Sequence, residues 1–431
     1  MEKSNNAVAL NLQRNISQIE LQPVAVFYLF ILSPLPSNLK SVRTQVLLYS
    51  MPTTSILNEP LGMFSFMPRV IKMVPIISAQ HESIIEKSSR RLVLIFLMFG
   101  AMLGCTGHIY MPFKLDINTP PEAQTGPPVL AYEKEPVPFE NSILEKDPKL
   151  TYQVRHLKMP SIGENGQEGN LIEAIYYRSN TAGKLPLVIV MPIWGDRFGL
   201  TYPPEKTTST LKRCSLGDMH IIRVVGERDL IDWEAVGEAE TEEQFLLIMA
   251  RMAQREAVNA VDISRLIDWA EERNEIDAAR IGLIGFSHSA ITVGVAVVNE
   301  PRLAAAVLVM GGAHPHRILA VCDHHVGRTR NKILQRFGWT ATDYEQAIQP
   351  FFKPIDAANY PGRADPSRIL IFDSYKDECI PQDARDDLWE VLGRPARISI
   401  LHGHKTAFLS MTPLGFNWMG HKIYEFLKST L

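Results

Sequence analysis

The chain has 431 residues, 46% hydrophobic, 21% charged and 8% aromatic, which excludes wholesale disorder, a collagen-like fibre and a multi-span membrane protein. Lys and Arg number 44 against 47 Asp and Glu, a net charge of -3, so the basic surplus needed to grip a phosphate backbone is missing and no nucleic-acid partner is expected. The four cysteines, Cys105, Cys214, Cys322 and Cys379, lie far apart with no CxxC pair, so neither a disulfide framework nor a thiolate zinc site is expected; the last three read as ordinary buried thiols.

Residues 1–72 show no regular period. Their apolar run at 24–32 is shorter than the roughly 20 residues that span a bilayer, and the segment reads as unstructured or as an over-extended start ahead of Met73. Within 73–104 the basic patch Lys87-Ser88-Ser89-Arg90-Arg91 leads into an apolar run at 92–103, the order of charges and length found in signal peptides. That run ends Met102-Leu103-Gly104-Cys105, which resembles the lipobox of bacterial lipoproteins. The resemblance implies cleavage before Cys105 and a lipid anchor on it, leaving the protein on the periplasmic or outer face of a membrane; an uncleaved, membrane-tethering segment is the alternative. Residues 105–148, with Pro112, Pro120, Pro121, Pro127, Pro128, Pro136 and Pro138, read as a semi-rigid tether.

From 149 to 431 strand-like and helix-like segments alternate. Strands are expected at 152–157, 171–177, 185–191, 221–225, 280–284, 303–310, 368–372 and 398–401, and helices at 243–272, 290–299, 383–392 and 416–427. Several strands, such as Val188-Ile189-Val190-Met191, are apolar without alternation, as in a sheet covered on both faces. The pattern predicts an α/β domain with a mostly parallel, eight-stranded sheet flanked by helices. An insertion at about 314–365 is long enough to form a helical cap over the cleft.

Three segments carry chemistry. The buried strand at 280–284 runs through Gly285-Phe286-Ser287-His288-Ser289 into a helix, and this resembles the nucleophile elbow of the α/β-hydrolase superfamily, where the serine sits on a sharp turn between small neighbours. Ser289 stands where that pattern has its second glycine. The strand ending Phe372-Asp373 and the loop Asp377-Glu378-Cys379-Ile380-Pro381 look like the part of these hydrolases that carries the triad acid; the register favours Asp377, with Asp373 as the competitor. The last strand delivers His402 and His404 to a loop; His404, after a glycine and four residues before Phe408, is the preferred base and His402 the fallback. The order Ser287, Asp377, His404 is the one expected for this superfamily.

The resemblance implies a serine hydrolase acting on an ester or related acyl bond of a small or acylated substrate through an acyl-enzyme, with no cofactor. A dienelactone-hydrolase or peptidase-like branch is suggested by Pro192-Ile193-Trp194-Gly195. Oxyanion donors are then the backbone N–H of His288 and that of Ile193, with Trp194 as the competing donor or as a wall of the substrate pocket. The alternatives are a peptidase of the same fold and a binding module that has lost turnover. His314-Pro315-His316 and Asp323-His324-His325 have a metal-like composition but match no ligand spacing, and no metal is expected.

Overall fold

A computed structural model describes residues 130, 132, 134, 138–145, 151–161, 171–193, 202–225, 232–323, 325–412 and 417–431. The signal-like segment and Cys105 lie outside the described residues. The strands β1 (Glu140–Glu145), β2 (Tyr152–Pro160), β3 (Leu171–Ser179), β4 (Leu185–Val190), β5 (His220–Val225), β6 (Ile276–Phe286), β7 (Leu303–Val309), β8 (Ile369–Ser374) and β9 (Ala396–Ile400) form one sheet in the order β1-β2-β3-β5-β4-β6-β7-β8-β9. β1 pairs antiparallel with β2, β2 with β3 and β3 with β5. From β5 through β4, β6, β7 and β8 to β9 every pairing is parallel.

Helices α1 (Tyr202–Ser215), α2 (Trp233–Glu238), α3 (Glu242–Glu271), α4 (His288–Asn299), α5 (Pro315–Val321), α6 (His325–Phe337), α7 (Ala341–Phe352), α8 (Gln382–Val391), α9 (His404–Ala407) and α10 (Trp418–Thr430) connect and cover the strands. Alternate residues of the central strands serve two cores. Leu187, Ile189, Leu283 and Ile371 pack beneath α3, α4 and α8 through Leu266, Val293 and Leu388. Val188, Val190, Ile284 and Phe372 pack on α1 and α10 through Leu211, Met419 and Ile423. With both faces dry, no polar alternation is permitted, which is why these strands read as unbroken apolar runs.

α3 is capped at its start by Thr241, whose hydroxyl accepts from the Gln244 amide at 3.2 Å. Its later turns cover the sheet with Ile263, Ile267 and Trp269. Its earlier turns carry Phe245, Met249 and Met252 into a separate cluster with Ile333 of α6 and Tyr344 and Ile348 of α7. One long helix is thus both a sheet cover and the floor of the cap.

The structure departs from the sequence expectations in three places. The sheet has nine strands rather than eight, because Glu140–Glu145 of the expected tether adds as β1 to β2. Its sequence, ENSILE, exposes Ile143 and Leu144; an edge strand open to solvent lacks the apolar signature of its buried neighbours. The tether's end is also fastened: the Leu130 amide donates to Asn299 Oδ1 at 3.0 Å and the Tyr132 hydroxyl to Asp268 Oδ2 at 2.7 Å. The third departure concerns the cysteines. Cys322 and Cys379 form a disulfide across 57 residues of sequence, a pairing that chain positions alone do not encode. Cys214 is a free thiol.

Candidate active site

β6 ends on Phe286, α4 begins on His288, and Ser287 alone makes the turn between them at φ 52° and ψ -116°. A side chain at positive φ is sterically strained. The turn is held by Ser287 N–H donating to Val309 O at 2.7 Å and by the Phe286 amide donating to Ser289 Oγ at 2.8 Å. Ser289 therefore replaces the usual glycine with a side chain that closes the elbow by hydrogen bonding. Gly285 has no such latitude, since a Cβ there would stand 2.5 Å from Ser289 O and 2.7 Å from Val293 Cγ2.

Ser287 Oγ lies 2.7 Å from His404 Nε2, and His404 Nδ1 lies 2.8 Å from Asp377 Oδ2. An ionised carboxylate only accepts, so Nδ1 carries the proton and Nε2 is left as the acceptor of the serine hydroxyl. Asp377 has no exposed side-chain surface, and its other oxygen accepts from the Cys379 and Ile380 amides at 2.9 and 2.8 Å. Burial is the strongest single influence on its carboxyl and pushes the pKa up. The hydrogen bond and electrostatic attraction of the imidazole, with the two amides, outweigh it, and the group is held below the ordinary carboxylate range. His404 is gripped a second time: its backbone N–H donates to Glu378 Oε2 at 2.8 Å.

Of the two competitors, Asp373 is buried at the end of β8 and is committed elsewhere. Arg397 Nε donates to it at 2.9 Å, Arg397 Nη2 also bonds it, and Arg385 stands 3.5 Å away. His402 gives its backbone carbonyl to the Lys376 amide at 3.1 Å and to the Ser374 hydroxyl. His288 occupies the first turn of α4 directly after the serine. Ile193 is buried just past β4, in the same apolar cluster as Phe286. Trp194 lies outside the described residues.

Beside Ser287 opens a pocket of about 70 Å³ whose walls are mostly apolar, among them Met252, Ile291, Val295, Leu319 and Phe352, with Cys322 and Cys379 also in its lining. Pro315, Ile318 and Leu319 of α5, Val326 of α6 and Phe352 of α7 line this pocket together with Ser287. One polar pair was not anticipated. Glu256, buried on α3, places Oε1 2.6 Å from His288 Nε2, and its Oε2 accepts from Thr292 Oγ1 at 3.2 Å. A glutamate in mid-helix carries no local signal of this role. The cap histidines bind carboxylates: His314 meets Asp356 and Asp387, each at 2.9 Å, and His316 approaches Glu345 at 3.9 Å. Among the described residues no group of three or more His, Cys, Asp or Glu could hold a metal ion, and no helix is long and apolar enough to cross a membrane.

The fold has counterparts in solved structures. An acetyl xylan esterase from Paenibacillus sp. R4 is similar over 69% of this chain and 90% of its own, with a TM-score of 0.50 and 15% identity. Acetyl xylan esterase 1 from Thermoanaerobacterium sp. JW/SL YS485 is similar over 65% and 89%, with a TM-score of 0.48 and 15% identity. A glucuronoyl esterase from Solibacter usitatus is similar over 70% and 88%, with a TM-score of 0.43 and 13% identity. This chain has the α/β-hydrolase fold. In that fold the turn after a central parallel strand and the loops after the last two are where Ser287, Asp377 and His404 stand. No family model matches the chain, and no curated protein matches it by sequence.

Proposed function

We propose that the protein is a serine hydrolase that cleaves esters of short acyl groups through an acyl-enzyme. The observation that carries this reading is the unbroken hydrogen-bonded line from Ser287 Oγ through His404 to the buried Asp377, starting from a serine on a strained turn. On this reading Ser287 Oγ attacks the ester carbon while His404 Nε2 takes its proton. Asp377 keeps the proton on Nδ1 and stabilises the imidazolium that forms. The oxyanion is received by the backbone amides of His288 and Ile193; donors of this kind are worth about 3 to 4 kcal/mol each. His404 then protonates the departing alcohol, and the same residue activates the water that releases the acid.

Pocket size supports the acyl class. At roughly 10 to 15 Å³ of such space per water-sized group, 70 Å³ holds about five heavy atoms, enough for an acetyl to butyryl chain and too little for a long one. The acetyl ester named for the similar Paenibacillus enzyme falls within that range. The Cys322–Cys379 disulfide supports an oxidising compartment, in keeping with a lipid anchor at Cys105; an intact mass that retained residues before Cys105 in the membrane fraction would argue against that anchor. The enzymatic reading is tested with a fluorophosphonate probe followed by p-nitrophenyl esters of two to ten carbons. An adduct on Ser287 and turnover falling steeply beyond about four to six carbons are expected, whereas a folded protein that takes no label would defeat the proposal.

A further inference from the structure

On the sheet face that α3 covers, a second cavity, of about 310 Å³, is lined by three arginines. Ser287 follows the last residue of β6, whereas Glu275, at this cavity, precedes its first, so the two lie at opposite ends of the strand. The period of two along β3 places Tyr176 and Arg178 on one face. The antiparallel register sets Arg155 of β2 opposite Tyr176, and the turn after α3 brings Arg273 over them. Trp269 and Tyr176 form the floor, edge to face with 5.2 Å between ring centroids.

The charges at this cavity are not balanced from within. Arg178 Nε donates to Glu275 Oε1 at 3.2 Å, Arg155 Nε to Gln153 Oε1 at 2.7 Å, and Arg273 Nη2 to Glu272 Oε2 at 3.2 Å. Among the described residues, three guanidinium groups therefore share two carboxylates. Among the described residues Arg155 and Arg178 hydrogen-bond through Nε, and the buried Nε of Arg273 has no hydrogen-bond partner there. Aromatic rings hold Arg273 in place, its guanidinium carbon 4.7 Å from the Phe139 centroid. Like charges gathered in one partly dehydrated space repel unless an anion joins them. The Glu275 carboxyl already registers the local field: burial, the largest influence, raises its pKa, yet its own backbone amide and Arg178 bring it below the ordinary value.

We propose that this cavity binds a small anionic ligand, its phosphate or carboxylate group received by the free guanidinium edges of Arg155, Arg178 and Arg273. Planar guanidinium forks suit both oxyanions, which are bound bidentately, and the volume leaves room for more than the oxyanion alone. The test is calorimetric titration of the full-length protein at low ionic strength with inorganic phosphate, with glucuronate, and with glucose as the neutral control. Saturable binding of at least one anion and none of glucose is expected. A response confined to phosphate assigns the site to a phosphate group, and one confined to glucuronate to a carboxylate.

Arg155→Gln should weaken that binding tenfold or more while leaving ester turnover at Ser287 unchanged, since among the described residues the one side chain that Arg155 bonds is Gln153. Should circular dichroism show that variant misfolded, Arg155→Lys keeps the charge, removes the fork and should still weaken binding. Absence of saturable binding by the natural protein, or undiminished binding in a folded Arg155 variant, would overturn the proposal.

Discussion

At the scale of single residues, the paired candidates give the sharpest tests. Ser287→Ala and His404→Ala should each lower kcat on a short p-nitrophenyl ester by about 10⁴-fold or more, and Asp377→Asn by about 10⁴-fold, because an amide there favours the wrong tautomer of His404. His402→Ala should leave kcat close to that of the natural protein, since His402 bonds its neighbours through its backbone. Asp373→Asn should do the opposite of Asp377→Asn. It leaves Arg385 without a carboxylate and Arg397 with Asp386 alone, at a cost of about 3 kcal/mol in chemical denaturation, yet the folded fraction should turn over normally. Chain order and the small residues around Ser287 singled out Ser287, Asp377 and His404 in the sequence, and the structure brings the three within hydrogen-bond distance. What separates Asp377 from Asp373 is not local: the partners of Asp373 come from α8 and β9, and no pattern around residue 373 announces them. Glu256 was illegible for the same reason, its meaning lying in His288, 32 positions further on.

At the scale of elements, two joints govern the cleft. The first is the elbow: Gly285→Ala would drive a methyl into the Ser289 carbonyl, and backbone cannot swing aside as a side chain can. A loss of at least about 1 to 3 kcal/mol in stability is expected, together with loss of labelling at Ser287. The second is the disulfide, which ties the end of α5 to the loop that carries Asp377. Closing 57 residues should contribute up to about 4 kcal/mol. Cys322→Ser with Cys379→Ser should therefore lower the melting temperature and raise KM more than it lowers kcat, because the cap is released while the amides at 379 and 380 remain in place for Asp377. A third joint is titratable. The hydrogen bond to Asp356 is the main influence on His314 and raises its pKa to about 9 against the opposing pull of burial, with Asp387 assisting. Its folded pKa exceeds its unfolded value of about 6.5, so the contribution is fully present below that pH and lost as the pH rises through about 9. The melting temperature should fall across that window, and His314→Gln should flatten the fall.

At the scale of the whole molecule, the parallel half of the sheet was legible because strands dry on both faces have no choice but to be apolar throughout. The antiparallel margin was not. β1 pairs on one side only and faces solvent, so its composition is that of a loop, and the prolines before it mask the point at which a chain segment becomes part of the domain. A chain beginning at residue 149 should accordingly melt lower than one beginning at 130, since it lacks β1, the Leu130 and Tyr132 hydrogen bonds and the Lys134 contact with Glu271. The insertion after β7 stood out as a length and not as a structure, because α6 and α7 bury their apolar faces on the first turns of α3 rather than on the sheet. Adjacent residues of one loop, Asp377 and Glu378, hold His404 by its ring and by its backbone respectively. His404 therefore cannot drift from Asp377 without both loops coming apart, so on the proposed function the alignment of the site has no melting step of its own. On heating, activity and the cooperative collapse of the domain should vanish together.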